Sequence, residues 1–255
     1  MRKPHTIKQR YSTLGLFVVL SLLLIGCATV YNPVTNKEET TLIGEKEEIQ
    51  IGQEAAVSLE KQYGLVKDTK LNAHLNSIGK KVAQKCGRPN LPYTFKILKT
   101  DDVNALTFPG GAIYVTEGLL KVYETDSQLA NVLGHEIGHV CARHIIKKME
   151  AQIGYSMLYT LLLRSAKQDI QNLANISFNL LSLGYSRQDE YQADELGIKY
   201  AYKAGYDPYG MAEFFRVLKK NQKTNQTHID VFFSTHPNVD DRIGRAEEIA
   251  GEYVK

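Results

Sequence analysis

Thirteen residues, Val132-Leu133-Gly134-His135-Glu136-Ile137-Gly138-His139-Val140-Cys141-Ala142-Arg143-His144, constrain this chain more than any other stretch. They set three histidines and one acid in a largely apolar run. A helix turns about 100° per residue, so His135 and His139 fall about 40° apart and share a face. Two imidazoles so placed can chelate one zinc ion, and Glu136 on the same turn stands where a base would take a proton from a water on that ion. Val132, Leu133, Ile137 and Val140 surround the pair with apolar positions, which argues against a solvated surface helix. His144 lies nine residues after His135, about 180° away on a continuous helix, and is read as facing away from the ion with no role.

Catalytic zinc usually takes three protein ligands and keeps one position for water. The longer motif HExxHxxGxxH would supply a third histidine locally, but Ala142 stands where that motif needs Gly and Ile145 where it needs His. The remaining ligand is therefore sought in residues 184–197, GYSRQDEYQADELG. Glu190 and Asp194 are four apart, on a helix face that also carries Ala193, Gly197 and Ala201. Gly134, Gly138 and Ala142 make a matching small-residue stripe on the first helix. The two helices are expected to pack closely and present Glu190 to the metal, with Asp194 accepting a hydrogen bond from the ligand His135. Spacing alone leaves Asp189 and Glu195 open as ligands, and an exposed acidic face paired with Arg187 or Lys199 open as well.

The wider pattern is a mostly helical α+β domain with one small sheet. Helices are predicted over 45–63, from an Asp68 cap onward, from Thr125-Asp126 to about Lys148, over 150–183, over 186–204, from Asp207-Pro208, and after Pro237-Asn238. Tyr93–Leu98 alternates like a strand, and Pro109-Gly110-Gly111 turns into a second strand over Ala112–Thr116. The apolar stretch 153–163 reads as core packing. No repeat of 20–50 residues is present.

The N-terminus reads as an export signal. Arg2, Lys3, Lys8 and Arg10 precede an apolar run over 14–25 that is too short for the roughly 20 residues of a membrane-spanning helix. It closes on Leu24-Ile25-Gly26-Cys27, which resembles a bacterial lipobox and implies cleavage before Cys27 and its acylation. Ala28, rather than Asp, after the cysteine favours the outer membrane. The expected division is a lipoprotein signal peptide over 1–26, a polar tether over 27–44 and one domain over 45–255. With the four signal-segment bases removed from 31, the remainder holds 27 bases against 28 acids, which gives no support to nucleic-acid binding. Cys86 and Cys141 could pair in an oxidising compartment, and a buried free thiol at Cys141 is as well supported.

HEIGH at 135–139 with SRQDEYQAD at 186–194 resembles the HtpX/BepA/LoiP-like HExxH zinc metallopeptidases, relatives of the CAAX prenyl protease. The family's SRxxExxAD motif is met at Ser186, Arg187, Glu190, Ala193 and Asp194, its NAFxxPGG edge strand by Asn104 to Gly111, and its THP…R element by Thr235-His236-Pro237 with Arg242. These four motifs, in the family's order over roughly 45–250, imply a zincin-like (gluzincin) domain whose edge strand lines the active site. They imply one zinc ion per chain on His135, His139 and Glu190, with Glu136 as the catalytic base. They further imply substrate binding at Asn104 and Ala105, and oxyanion stabilisation by His236 and Arg242. The resemblance also allows His236 on the metal in a latent state. With the lipobox, it implies an outer-membrane lipoprotein of a Gram-negative bacterium facing the periplasm. Its substrates would be misfolded or unassembled envelope proteins, with envelope assembly machinery as a further partner. A non-catalytic lipoprotein chaperone or assembly factor, with a structural or latent zinc site, is the alternative.

Overall fold

The computed structural model describes residues 28–154, 167–223 and 229–254. The signal segment, the acylation candidate Cys27 and residues 155–163 of the apolar stretch lie outside them. The chain enters as an antiparallel hairpin, β1 (Ala28–Asn32) and β2 (Lys37–Thr41), turned at Asn36 with φ 51°. These residues were expected to be a tether. Instead Asn32 is buried and donates to Glu39, while Glu150 accepts from Thr41 Oγ1 (2.5 Å) and Leu42 N (3.0 Å). Polar side chains with specific partners dock this hairpin together with buried Val30 and with Val34 of its turn, and hydropathy alone does not show it.

Two helices follow, α1 (Glu45–Tyr63) and α2 (Thr69–Ala83), the second capped by Asp68, which accepts from Lys70 N and Leu71 N. The sheet holds β3 (Thr94–Leu98), β4 (Ala105–Thr107) and β5 (Ala112–Thr116) in the order β3-β5-β4. β5 is parallel to β3 and antiparallel to β4, so β4 is the edge. A single 3₁₀ turn, Pro109–Gly111, links β4 to β5. Gly110 there has φ 74°, and a Cβ on it would come within 2.6 Å of the Ile49 backbone.

After the short α3 (Glu117–Val122) comes α4 (Asp126–Ala142), capped by Thr125, which accepts from Gln128 N. Every residue of α4 from Gln128 onward is buried. The helix expected to run to Lys148 stops at Ala142, because Arg143 turns left-handed (φ 59°, ψ 37°) and a new helix, α5 (His144–Ile153), begins. The turn draws the Arg143 side chain inward, where Nε donates to Glu48 Oε2 (2.9 Å) and Nη2 to Ile43 O. That charge-assisted pair offsets the cost of a non-glycine residue in this region.

The rest is helical: α6 (Lys167–Ser182), α7 (Arg187–Lys203), α8 (Gly210–Lys223), a short α9 (Asp230–Thr235) and α10 (Val239–Tyr253). Ser186 caps α7 through a capping box with Asp189. The helix α9, ending at His236, was not anticipated. One core joins α2, the sheet, α4, α7, α8 and α10, and a second joins α1, α5, α6 and the edge-strand region. α4 and α7 meet through their small residues: a Cβ on Gly134 would lie 2.6 Å from Gly197 O. Fully buried Leu133 and Ile137 stabilise the α4 side of the first core by about 1.5–3 kcal/mol each. The result is the mostly helical, zincin-like α+β domain that the sequence implies.

Candidate metal centre

Four buried side chains from three places in the chain converge. His135 and His139 come from α4, Glu190 from the first turns of α7, and His236 from the end of α9, with one donor atom from each all within 4.8 Å of one another. His135 Nε2 and His139 Nε2 are 2.9 Å apart. Glu190 reaches His139 Nε2 at 3.4 Å and His135 Nε2 at 3.6 Å, and His236 Nδ1 lies 3.2 Å from Glu190 Oε1. The alternatives Asp189 and Glu195 are not in this cluster: Asp189 closes the cap of its own helix and Glu195 is exposed.

The residues fit a divalent cation. Glu136, Glu190 and Asp194 are buried with one nearby guanidinium, Arg242. With neutral histidines the centre carries a net charge of −2 by this count, a large burden for a dry interior and one that a divalent ion neutralises. Nitrogen and carboxylate donors in this mixture suit zinc. Glu136 Oε2 is buried with no hydrogen-bond partner among the described residues, as expected of a group that waits for a water or a proton.

Electrostatics divides these acids. Burial raises the Glu136 carboxyl above its ordinary value, and the nearby histidines only partly oppose this. Burial also acts on Glu190 and Asp194, but Arg242 and the histidines outweigh it and hold both below the usual carboxylate range, Glu190 far below. Burial keeps His139 neutral well below its ordinary value. His236 is penalised by burial yet raised overall by Glu190 and Glu136.

The outer edges of the imidazoles are fixed as well. His135 Nδ1 meets Asp194 Oδ1 at 2.8 Å, the contact expected from spacing. Arg242 was expected to reach an oxyanion. It is instead fully buried behind His135: Nε and Nη2 each donate to Asp194 at 2.7 Å, and Nη1 pairs with Glu190. Nε and Nη2 are engaged on that side, where they orient Asp194, while Nη1, against Glu190, has no aligned hydrogen-bond acceptor among the described residues. His144 is also corrected. The break at Arg143 swings it back so that its Nδ1 lies 2.7 Å from His139 Nδ1, and burial keeps it below its ordinary value. Tyr185, which sequence reasoning missed, stacks on His139 at 3.7 Å between centroids and 18° between planes. Its neighbour Gly184, a helix-ending glycine with φ 66°, was the available signal.

The edge strand runs past this cluster. Thr116 N donates to Asn104 O and Phe108 N to Ala112 O, so the alternate residues Ala105 and Thr107 turn their backbone groups to the free edge. Ala105 N is capped by Asn104 Oδ1 (2.9 Å), which also accepts from Thr235 Oγ1 (3.3 Å), leaving the Asn104 Nδ2 hydrogens as the group able to donate outward. Ala105 O lies 3.5 Å from His236 Nε2. A cavity of about 260 Å³ adjoins β4, lined by Asn104, Leu106, Phe108, Phe178 and Leu181 among others. Elsewhere, Cys86 and Cys141 are buried free thiols, bridged by Tyr93 Oη at 3.4 and 3.6 Å.

Comparison with known proteins agrees with this geometry. Residues 69–250 match peptidase family M48. The Beta-barrel assembly-enhancing protease of Escherichia coli (strain K12) is 27% identical over 229 residues, covering 86% of this chain and 46% of its own length. The Mitochondrial metalloendopeptidase OMA1 of Arabidopsis thaliana is 34% identical over 136 residues, 53% of this chain and 27% of its own. The Metalloprotease LoiP of Escherichia coli (strain K12) is 29% identical over 152 residues, 57% of this chain and 58% of its own. The chain thus spans less than half the length of the first two.

Proposed function

We infer that the chain, which belongs to peptidase family M48, is a metalloendopeptidase. On that premise we propose that its metal is one zinc ion, held by His135, His139 and Glu190, and that it hydrolyses misfolded or unassembled envelope proteins. The observation that carries this reading is the buried donor cluster, set in a centre of net charge −2 when its histidines are neutral, with a Glu136 oxygen that has no hydrogen-bond partner among the described residues. Bound zinc would supply Lewis acidity to the peptide carbonyl and to water. Glu136, whose carboxyl burial raises above its ordinary value, takes the proton of the attacking water and returns it to the leaving amine. Asp194 keeps His135 protonated on Nδ1 so that Nε2 faces the ion, and Arg242 holds Asp194. The outward backbone groups of Thr107 pair with an extended substrate, joined by those of Ala105 once Asn104 Oδ1 and His236 release them, and Asn104 Nδ2 donates to its main chain. His236 is the residue placed to steady the developing oxyanion.

The location proposed is the outer membrane, facing the periplasm, through lipid on Cys27. The motif at 24–27 and a relative named for β-barrel assembly support it. Among the described residues no helix is long and apolar enough to cross a membrane. Envelope assembly machinery is the partner class this location brings. A second reading is favoured by His236 Nδ1 within the donor set: four protein ligands would make a latent or structural site, as in a lipoprotein chaperone or assembly factor. Metal content and casein cleavage, measured together on purified wild type, Glu136→Gln and Glu190→Ala, separate the two. The peptidase reading expects zinc without cleavage in the first variant and lost zinc in the second. Wild type that holds zinc but cleaves no unfolded protein supports the structural reading.

A further inference from the structure

His135 has an ionised partner on its outer nitrogen, and the partner that the described residues give His139 there is His144. We infer that His144 is a positioning residue for the metal: it holds His139 in the tautomer whose Nε2 lone pair faces the ion, through a relay that ends on Gln192 and Asp189. The inference rests on the zinc-site reading above.

The proton positions follow from the partners. His144 Nε2 lies 2.8 Å from Gln192 Oε1 and 3.5 Å from Asp189 Oδ1. The other Asp189 oxygen is engaged by Ser186, and a carboxylate can only accept. His144 Nε2 therefore carries the hydrogen, which also sets the Gln192 amide with its oxygen inward. A neutral imidazole has one N–H, so His144 Nδ1 is a bare acceptor. At 2.7 Å from it, His139 Nδ1 must carry the shared hydrogen. That leaves His139 Nε2 bare, and this atom faces Glu190 and His135. Tyr185, stacked on the ring, fixes its plane, while His144 fixes which nitrogen is free. The arrangement exists only because the helix breaks at Arg143, and that break is held by Glu48, a residue 95 positions earlier on α1.

Zinc affinity of metal-stripped protein, measured by chelator competition, tests the relay on wild type, His144→Phe and His144→Gln. Phenylalanine keeps a ring but offers no acceptor, and its affinity should fall about 10–100-fold, the usual cost of removing a ligand's outer hydrogen-bond partner. Glutamine, whose oxygen can accept, should recover part of it. A readout independent of any variant is a ¹⁵N NMR coupling across the His139 Nδ1–H···Nδ1 His144 hydrogen bond in zinc-loaded wild type. Its presence, with the proton on His139, is expected. A folded His144→Phe with wild-type affinity, or a bare His139 Nδ1 in the wild type, overturns the relay while leaving the zinc site intact. Wild type that takes up no zinc sinks the zinc-site reading itself, and the relay with it.

Discussion

Two buried clusters of charge lie at the C-terminal half of α4, and they are built on opposite plans. At the back, Glu48 receives two hydrogen bonds from Arg88 and one from Arg143, with Gly110 N also directed at it, and the exposed Glu45 brings the group to two acids and two bases. At the front, three buried acids face one guanidinium, and one Glu136 oxygen has no partner among the described residues. Both clusters are buried and costly to assemble. Only the front one holds more acids than bases when its histidines are neutral, and that excess has the sign and size of a divalent ion. Buried charge alone therefore does not mark a functional site in this fold, whereas an uncompensated remainder does.

The comparison can be broken experimentally, beginning where the effect is largest. Glu136→Gln should lower the cleavage rate of an unfolded protein by about 10²–10⁴-fold with zinc retained, because the variant keeps the shape and loses the base. A variant with full activity would remove the front cluster's claim to chemistry. Glu48→Leu leaves Arg143 buried without its acid and Arg88 with the exposed Glu45 as its remaining carboxylate among the described residues, and should destabilise by about 3–5 kcal/mol in urea unfolding. A near-neutral result would mean that the back cluster does not hold the fold together. Zinc, by contrast, should stabilise through the front alone: at free ion about 100 times its dissociation constant, the gain is about 2.7 kcal/mol, visible as a melting temperature that falls on chelation. The smallest effect concerns pH in the metal-free protein. Glu190 and Asp194 sit below their ordinary values of 4.5 and 3.8, so their contribution is complete above those values and fades as pH falls through the depressed ones. His236, raised above 6.5, acts in the opposite sense, contributing below 6.5 and ceasing to do so as pH rises past its folded value. Melting temperature followed against pH in a Glu190→Gln variant should lose part of the acid-side dependence.

What could be read from the sequence was local. His135, Glu136 and His139 follow from the helical repeat, and the approach of α7 follows from Gly134, Gly138 and Gly197, where no side chain separates the backbones. Glu190 needed that packing argument and the family resemblance together. The features that escaped depend on partners far along the chain. The helix break at Arg143 has no signature in its neighbours, since its cause is Glu48, and without the break His144 points the wrong way. Arg242 was placed in the reacting space because its count from His236 matched a motif. Only the geometry shows its guanidinium closed around Asp194. The hairpin over 28–41 escaped because Lys37-Glu38-Glu39-Thr40-Thr41 has no apolar alternation, and polar bonds help to dock it.

The edge strand β4 has one more consequence. It offers only three residues, and the outward groups belong to Ala105 and Thr107, whose side chains are buried. Such an edge reads main chain and little else. A segment can answer it only after giving up the helix or ladder bonds it would make in its own folded state. On the substrate class proposed above, such an edge would need no recognition code, because the conformation of the target is the criterion: an unfolded segment has main-chain groups to lend that a folded one has largely spent.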